Sequence, residues 1–340
     1  MNEYPALLKH VIGGGDLTAE QAALAVGAIM DETISNVRAA ALLAALAAKG
    51  ETVDEVIGAA RAMRERSVRV EHDLPLVIDV CGTGGDGAGT INISTAAAFV
   101  VAGCGVAVAK HGNRAASSAC GSADVLEALG VKIDRSPEDS ARLLREHNMA
   151  FLFAQRHHPA MRAVAPIRRE LGVRTVFNVL GPLTNPAGAS RQVIGVASER
   201  HFELVAHALR GLGAVSGAVV HAANGLDEIA GDVPTQVFQF DRNGVRRWML
   251  DPAKHGVHAP LDTIRGGDAA FNAAALSAIL DGEASPRADL VCLNAALALV
   301  VASEAVDLDD GIARARTSIA SGRARATLDA LRSEREREYA

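Results

Sequence analysis

Residues 76–95 read Leu76-Val77-Ile78-Asp79-Val80-Cys81-Gly82-Thr83-Gly84-Gly85-Asp86-Gly87-Ala88-Gly89-Thr90-Ile91-Asn92-Ile93-Ser94-Thr95. A short apolar run, Leu76 to Val80, has the length and β-branched content of a buried strand. Five glycines follow between Cys81 and Thr90, and an apolar, helix-like stretch then begins near Asn92 or Ser94. Val106-Ala107-Val108-Ala109 is strand-like again. Strand, loop, helix, strand predicts a βαβ unit, which requires a parallel sheet.

The same alternation continues downstream through Ala123 to Leu129, Ser136 to His147, Met149 to Phe153, Val193 to Ala197, His201 to Leu212 and Ala218 to His221. Helices interleaved with short β-rich runs predict a mostly parallel sheet covered on both faces. Upstream the pattern differs. Thr18 with Gln21 and Thr52 with Glu55 have capping-box spacing, Ser35 can cap a helix running to Lys49, and Gly50 stands where a C-terminal glycine belongs. We therefore expect a helical domain over 1–70, joined by part of 166–187, and an α/β domain made of 74–165 and 188–340. The segment 177–186, Phe-Asn-Val-Leu-Gly-Pro-Leu-Thr-Asn-Pro, is dense in turn signals and predicts an interruption, with the hinge near Gly181-Pro182. The alternating charges of 333–338 predict a solvated, fraying helix end.

The 340 residues suffice for two domains at roughly 150 residues each. Hydrophobic residues make up 49% and aromatics only 3%, so the core must be aliphatic and little is available for stacking on bases. The net charge of −6 argues against a polyanion as the main partner. Cys81, Cys104, Cys120 and Cys292 show no C-x-x-C spacing and are too few to staple this chain, so we expect reduced thiols and a cytoplasmic protein. No signal-like segment opens the sequence, and the apolar run from Ile93 to Ala109, broken by Gly103 and Gly105, falls short of the ~18 to 20 residues of a membrane span.

Four clusters could carry chemistry. The glycine loop, placed between a strand and a helix start, can present free backbone N–H groups to an anion, although glycine in a turn also serves plain backbone geometry. No Lys-Ser or Lys-Thr follows it, so it is not a Walker A loop. Lys110-His111-Gly112-Asn113-Arg114 ends the next strand, where ligands of open α/β sheets collect, and Ser117, Ser118, Gly121 and Ser122 follow with hydroxyls and amides. Only five of the 34 basic residues are lysines, which sets Lys110 apart from ordinary surface charge. Asn224-Gly225-Leu226-Asp227-Glu228 follows a strand and could offer two carboxylates to a hard cation beside phosphate oxygens, or simply form a solvated turn. Gln155-Arg156-His157-His158-Pro159 leads into a helix with Arg162, Arg168 and Arg169; the adjacent histidines lack zinc-helix spacing, and spacing does not choose which arginine could clamp a carboxylate.

Taken together, Gly82 to Asp86, Asn92 to Thr95, Lys110 to Arg114 with Ser117-Ser118, Gly121 to Asp124 and Gly225 to Glu228 resemble the anthranilate phosphoribosyltransferase family. The stretch from His158-Pro159-Ala160-Met161 through Gly181-Pro182-Leu183-Thr184-Asn185-Pro186 does so too, and the similarity runs in order to the helix around Asn294. The resemblance implies a helical domain packed on an α/β domain of the nucleoside phosphorylase/phosphoribosyltransferase type, and a homodimer. It also implies transfer of the phosphoribosyl group of phosphoribosyl pyrophosphate (PRPP) to the amine of anthranilate, the second step of tryptophan synthesis. Carried over by residue, it implies PRPP contacts from Gly82, Gly85, Asp86, Thr90, Asn92, Ile93, Ser94, Thr95, Lys110, His111, Gly112, Asn113, Arg114, Ala115, Ala116, Ser117, Ser118 and Ser122. It implies Mg²⁺ at Ser94, Asp227 and Glu228. Gly82, Asn113 and Arg168 would contact anthranilate, with Arg168 taking its carboxylate and His158 on the access route. Ile91 and Met161 stand where the family often has aromatic rings, and Ala230 where it often has Ser, without removing a charge from this set.

The chemistry requires leaving-group charge to be neutralised and the amine to be held in line, and an aromatic amine needs little base assistance. No general base is assigned; His111 is a candidate by residue type, beside a hydrogen-bonding role. A pyrimidine nucleoside phosphorylase of the same architecture would lack the Asp227-Glu228 pair. A nucleic-acid-binding relative would call for a basic face.

Overall fold

The computed structural model describes residues 3–115 and 119–337. Four helices open the chain: α1 (Tyr4–Ile12), α2 (Ala19–Met30), α3 (Asn36–Lys49) and α4 (Val53–Glu65). Both expected capping boxes form, Thr18 with Gln21 on α2 and Thr52 with Glu55 on α4, and Ser35 caps α3. Glu55 does more than cap. Its carboxylate is buried, accepting the Leu17 N–H at 3.0 Å and the Thr52 N–H at 2.8 Å, with Lys49 Nζ at 3.0 Å. One side chain thus starts α4 and pins it to the α1–α2 connection.

The second part alternates as β1 (Ile78–Gly82), α5 (Ile93–Gly103), β2 (Val108–Gly112), α6 (Ser122–Ala128), α7 (Pro137–His147), β3 (Met149–Phe153), α8 (Ala154–His157), α9 (Met161–Leu171), α10 (Phe177–Leu183), β4 (Arg191–Gly195), α11 (Glu199–Gly211) and β5 (Ser216–Ala222). Two further strands, β6 (Thr235–Asp241) and β7 (Gly244–Leu250), precede α12 (Ala269–Leu280), α13 (Pro286–Val301), α14 (Leu308–Ala320) and α15 (Arg323–Arg337). The strands form one sheet in the order β3-β2-β1-β4-β5-β6-β7. From β3 to β5 all pairs are parallel; β6 and β7 are antiparallel additions.

Alternation along the strands sorts side chains between two apolar layers. Val193, Ala218, Val220 and Val237 join the core containing α5 and α13, whereas Ile194, Val219, Phe238 and Phe240 join the core containing α2, α4 and α11. Helix α5 is buried along nearly its whole length, and its run Ala96-Ala97-Ala98 leaves room for the neighbouring helices and the sheet. Val164, Ile167, Val176, Phe177, Leu180 and Leu183 lie in the same cluster as the residues of α1 to α4.

Two local expectations are refined. The segment whose turn signals predict an interruption of the alternation folds, over residues 177–183, as the short helix α10. Pro182 stands near its end, and the Leu180 and Gly181 carbonyls are taken by Thr184 Oγ1, so the short helix leaves no bare backbone there. The chain end is not wholly solvated either: Glu334 is buried, with one carboxylate oxygen 2.7 Å from Arg142 Nη2. At the sheet's two edges the treatment differs. Edge strand β3 is buried against α7, while β7 is bare and presents Arg246, Arg247 and Met249.

Strand order reverses at β1, whose neighbours are β2 on one side and β4 on the other. In open α/β sheets ligands bind outside the carboxyl ends of the strands at such a reversal. The glycine loop leaves β1 at that point, and Thr83 N–H donates to the Gly195 carbonyl at the end of β4 across it.

Candidate active site

The floor of the site is made where the glycine loop meets Asp227. Gly84 N–H donates to Asp227 Oδ2 at 2.6 Å. A Cβ on Gly82 would strike the same carboxylate, so the loop and the acidic pair can approach only because residue 82 has no side chain. Glu228 Oε1 accepts the Ser94 N–H at 2.8 Å in the first turn of α5. The position is fixed from behind by Asn294 on α13, whose amide accepts the Ile229 N–H at 3.0 Å and donates to the Ile229 carbonyl at 3.2 Å.

Burial, then the charge of Asp86, raises the Asp227 pKa; burial, then the charge of Asp227, raises that of Glu228. Two converging carboxylates destabilise each other unless a cation joins them. With the Ser94 hydroxyl beside them they form an all-oxygen donor set, which fits a hard divalent cation.

Lys110, midway along β2, is buried and donates to the Val80 carbonyl at 2.7 Å and to Ser94 Oγ at 3.3 Å. Desolvation lowers its pKa, and the nearby Asp79 counters that. Asp79 is buried under the same strand, accepting from the His111 N–H at 3.2 Å and from Asn185 Nδ2 at 2.8 Å. Arg114 is turned outward to Asp124 and Glu127. Asn92 is braced on both sides: its Nδ2 donates to the Cys120 carbonyl at 3.1 Å and its Oδ1 accepts from Asn272 Nδ2 at 2.9 Å.

The glycine loop, Asn92, Ser94, Lys110, Arg114, Asp227 and Glu228 line one lobe of a cleft of about 430 Å³. Of the residues singled out from sequence, Gly82, Gly85, Asp86, Thr90, Asn92, Ser94, Thr95, Asp227 and Glu228 border it from the loop, α5 and the acidic turn. Lys110 to Ala115 and Ser122 border it from the far side of β2. Ile93 is not among the lining residues: its side chain is fully buried in the core and its N–H is bonded to the Ile91 carbonyl. Ala116, Ser117 and Ser118 lie outside the described residues.

A second lobe of about 610 Å³ opens from the first. Its walls include Met63, Met161, Phe177 and Pro182, an apolar setting, and Gly82, Asn113 and Arg168 belong to both lobes. Arg168 is half-buried on α9 with its guanidinium carbon 6.0 Å from the centre of the Phe177 ring, and burial lowers its pKa. Met161 occupies wall space without polar demands.

His111 and His158 meet at the junction of the lobes. His111 Nδ1 is 3.1 Å from the Gly181 carbonyl and must carry the proton there; its Nε2 then accepts from His158 Nε2 at 3.2 Å. Burial and then the neighbouring His158 hold the His111 pKa well below the usual value, and burial and then His157 bring His158 down to about 4. The Nε2 lone pair of His111 is thereby engaged by His158.

Sequence reasoning missed Asp79, Asn185, Asn272 and Asn294, which support the site from buried positions. It also missed Arg174, which borders the first lobe from the connection between α9 and α10. Single residues in apolar or helical surroundings carry no spacing signal; only the strand-end position of Asp79 offered one.

Residues 5–67 match the helical bundle domain of the glycosyl transferase family, and residues 74–325 match its a/b domain. The chain is 51% identical over 325 residues to the anthranilate phosphoribosyltransferase of Pelotomaculum thermopropionicum, covering 95% of this chain and 94% of that one. It is 49% identical to the enzyme of that name from Symbiobacterium thermophilum, with 96% of each chain covered. The chain belongs to the anthranilate phosphoribosyltransferase family. Among solved structures, the anthranilate phosphoribosyltransferase of Thermus thermophilus superposes with a TM-score of 0.91 at 46% identity, covering 96% of this chain and 98% of that one. The Saccharomyces cerevisiae anthranilate phosphoribosyltransferase solved with PRPP and Mg superposes at 0.89 with 28% identity, covering 98% and 97%. Among the described residues no helix is long and apolar enough to cross a membrane.

Proposed function

We propose that this chain transfers the phosphoribosyl group of PRPP to the amine of anthranilate, releasing pyrophosphate, as the second step of tryptophan synthesis. The observation that carries this reading is a single cleft with an oxyanion-type lobe and an apolar lobe joined at Gly82, Asn113 and Arg168. In this assignment PRPP lies along Gly82 to Thr95 and Lys110 to Ser122. Anthranilate lies in the apolar lobe with its carboxylate on Arg168, beside Asn113, and reaches that position past His158.

Asp227 and Glu228, with Ser94, would hold Mg²⁺, which when bound supplies positive charge to the phosphate oxygens. Glycine-loop amides and Lys110 add fixed donors on the same side, and because they are already oriented by the protein they need not reorganise as pyrophosphate departs. Arg168 and Asn113 orient the amine toward the ribose carbon, so that positioning supplies much of the acceleration. Nothing is asked of His111 as a base; its bond to Gly181 ties β2 to α10. A homodimer working in the cytoplasm completes the proposal, supported by the family resemblance and the predicted reduced thiols; no disulfide joins the four cysteines.

The test is the loss of anthranilate fluorescence on adding the purified protein, with PRPP and Mg²⁺ both present or each omitted in turn. Loss that needs all components, with pyrophosphate released in step, is the expected result. A folded protein that leaves the fluorescence unchanged would overturn the proposal.

A further inference from the structure

Arg174 is the one cation of the phosphate lobe that comes from the connection between α9 and α10. Its neighbours Val176 and Phe177 are buried in the cluster that contains α1 to α4, so the residue is anchored on the helical side. Its guanidinium nevertheless lies directly against the glycine loop of the α/β side, where a Cβ on Gly85 would collide with Nη1. Gly85 has a φ of 80°, a conformation that favours glycine, and the absent side chain leaves the guanidinium room against the loop.

The other cations of the lobe already have protein partners or face both lobes. Lys110 is bonded to Val80 and Ser94, Arg114 is paired with Asp124 and Glu127, and Arg168 is shared with the apolar lobe. Arg174 is exposed, and it has no hydrogen bond or ion pair among the described residues. An exposed, flexible side chain held over a glycine loop with no carboxylate partner is available to an anionic ligand.

We infer that Arg174 binds the diphosphate end of the phosphoribosyl donor, reaching across from the helical side to close over the glycine loop. The choice of end follows from the floor of the lobe. Gly84, next to Gly85, is bonded to Asp227, so Arg174 stands beside the carboxylates that suit a cation and therefore beside the substrate group of highest charge. This inference rests on the proposed use of PRPP. It gives the leaving group a bidentate donor from the side opposite the carboxylates, so that the substrate joins the two parts of the chain.

Steady-state kinetics of Arg174→Gln and Arg174→Lys, together with calorimetric binding of inorganic diphosphate in the presence of Mg²⁺, test it. Losing a charge-assisted bidentate contact should raise the PRPP KM of the Gln variant roughly tenfold or more and weaken diphosphate binding by a like factor. The anthranilate KM and the melting temperature should stay unchanged, and Lys should recover part of the loss. Inhibition by ribose 5-phosphate should be unaffected. Unchanged diphosphate binding in the Gln variant would overturn the inference, and so would weakened ribose 5-phosphate inhibition alone, which would place Arg174 at the other end of the donor. A rise in the anthranilate KM alone would also overturn it. Wild-type protein that neither turns over PRPP nor binds diphosphate would instead overturn the functional proposal beneath it.

Discussion

Gly82 shows how much one missing side chain can decide. A methyl group there would strike Asp227 Oδ2, so Gly82→Ala should shift the carboxylate and raise the Mg²⁺ concentration needed for half-maximal activity roughly tenfold or more, by order of a lost charge-assisted contact, while the fold persists. A Mg²⁺ titration of activity at fixed PRPP checks this. Replacing Asp227 by Asn together with Glu228 by Gln should abolish Mg²⁺-dependent turnover; retained activity would contradict the proposed cation site. Arg168→Gln should raise the anthranilate KM by one to two orders of magnitude, roughly the worth of a bidentate carboxylate contact, and change the PRPP KM far less. Equal effects on both constants would remove the proposed carboxylate clamp. Sequence could mark Gly82, Lys110 and the acidic pair because each sits in a run with its own pattern. Spacing left Arg162, Arg168 and Arg169 equivalent, since consecutive helical turns present arginines for many reasons; here Arg162 and Arg168 both border the apolar lobe, and only Arg168 borders the phosphate lobe as well.

Helix starts illustrate what local sequence encodes well. Thr18, Ser35 and Thr52 cap as their spacing predicts because the bond involved spans three residues and needs nothing from elsewhere. Their energetic weights differ for a reason that only the packing reveals. Ser35→Ala removes one exposed cap bond and should lower the unfolding free energy by about 1 kcal/mol. Glu55→Ala strips partners from two backbone N–H groups and from Lys49 in a buried setting, and should lower it by about 3 kcal/mol. Urea denaturation of the two variants checks the ranking. Helix α10 was illegible for the opposite reason: its Gly181-Pro182 pair reads as a turn, and the groups that settle the Leu180 and Gly181 carbonyls include His111, seventy residues away.

Across the whole molecule, alternating strands and helices were enough to predict a parallel sheet, because each βαβ unit is a local pattern. The strand order and the antiparallel β6–β7 addition depend on pairings between distant segments, which periodicity does not encode. The His111–His158 contact links β2 to the start of α9 and makes stability sensitive to acid. His158 is held neutral, with a pKa brought down from 6.5 to about 4, so its contribution is present above pH 6.5 and is lost as the pH falls toward 4. Asp79, pushed up to about 6 by burial, titrates with the opposite sign, so the comparison must be made against a variant. The stability advantage of wild type over His158→Gln should shrink by about 2 kcal/mol between pH 7 and pH 5, measured in urea. An unchanged difference would mean that the ring is not held neutral by the fold. The bare outer strand β7 carries a further consequence for how the protein behaves in a crowded solution. Its free backbone groups could recruit a strand from another molecule, but Arg246 stacks over Trp248, and Arg247 lies over Phe238 while reaching Glu203. Two guanidinium groups on successive residues thus put charge on both faces of an otherwise adhesive border, so a second chain would have to bury like charges to extend the sheet.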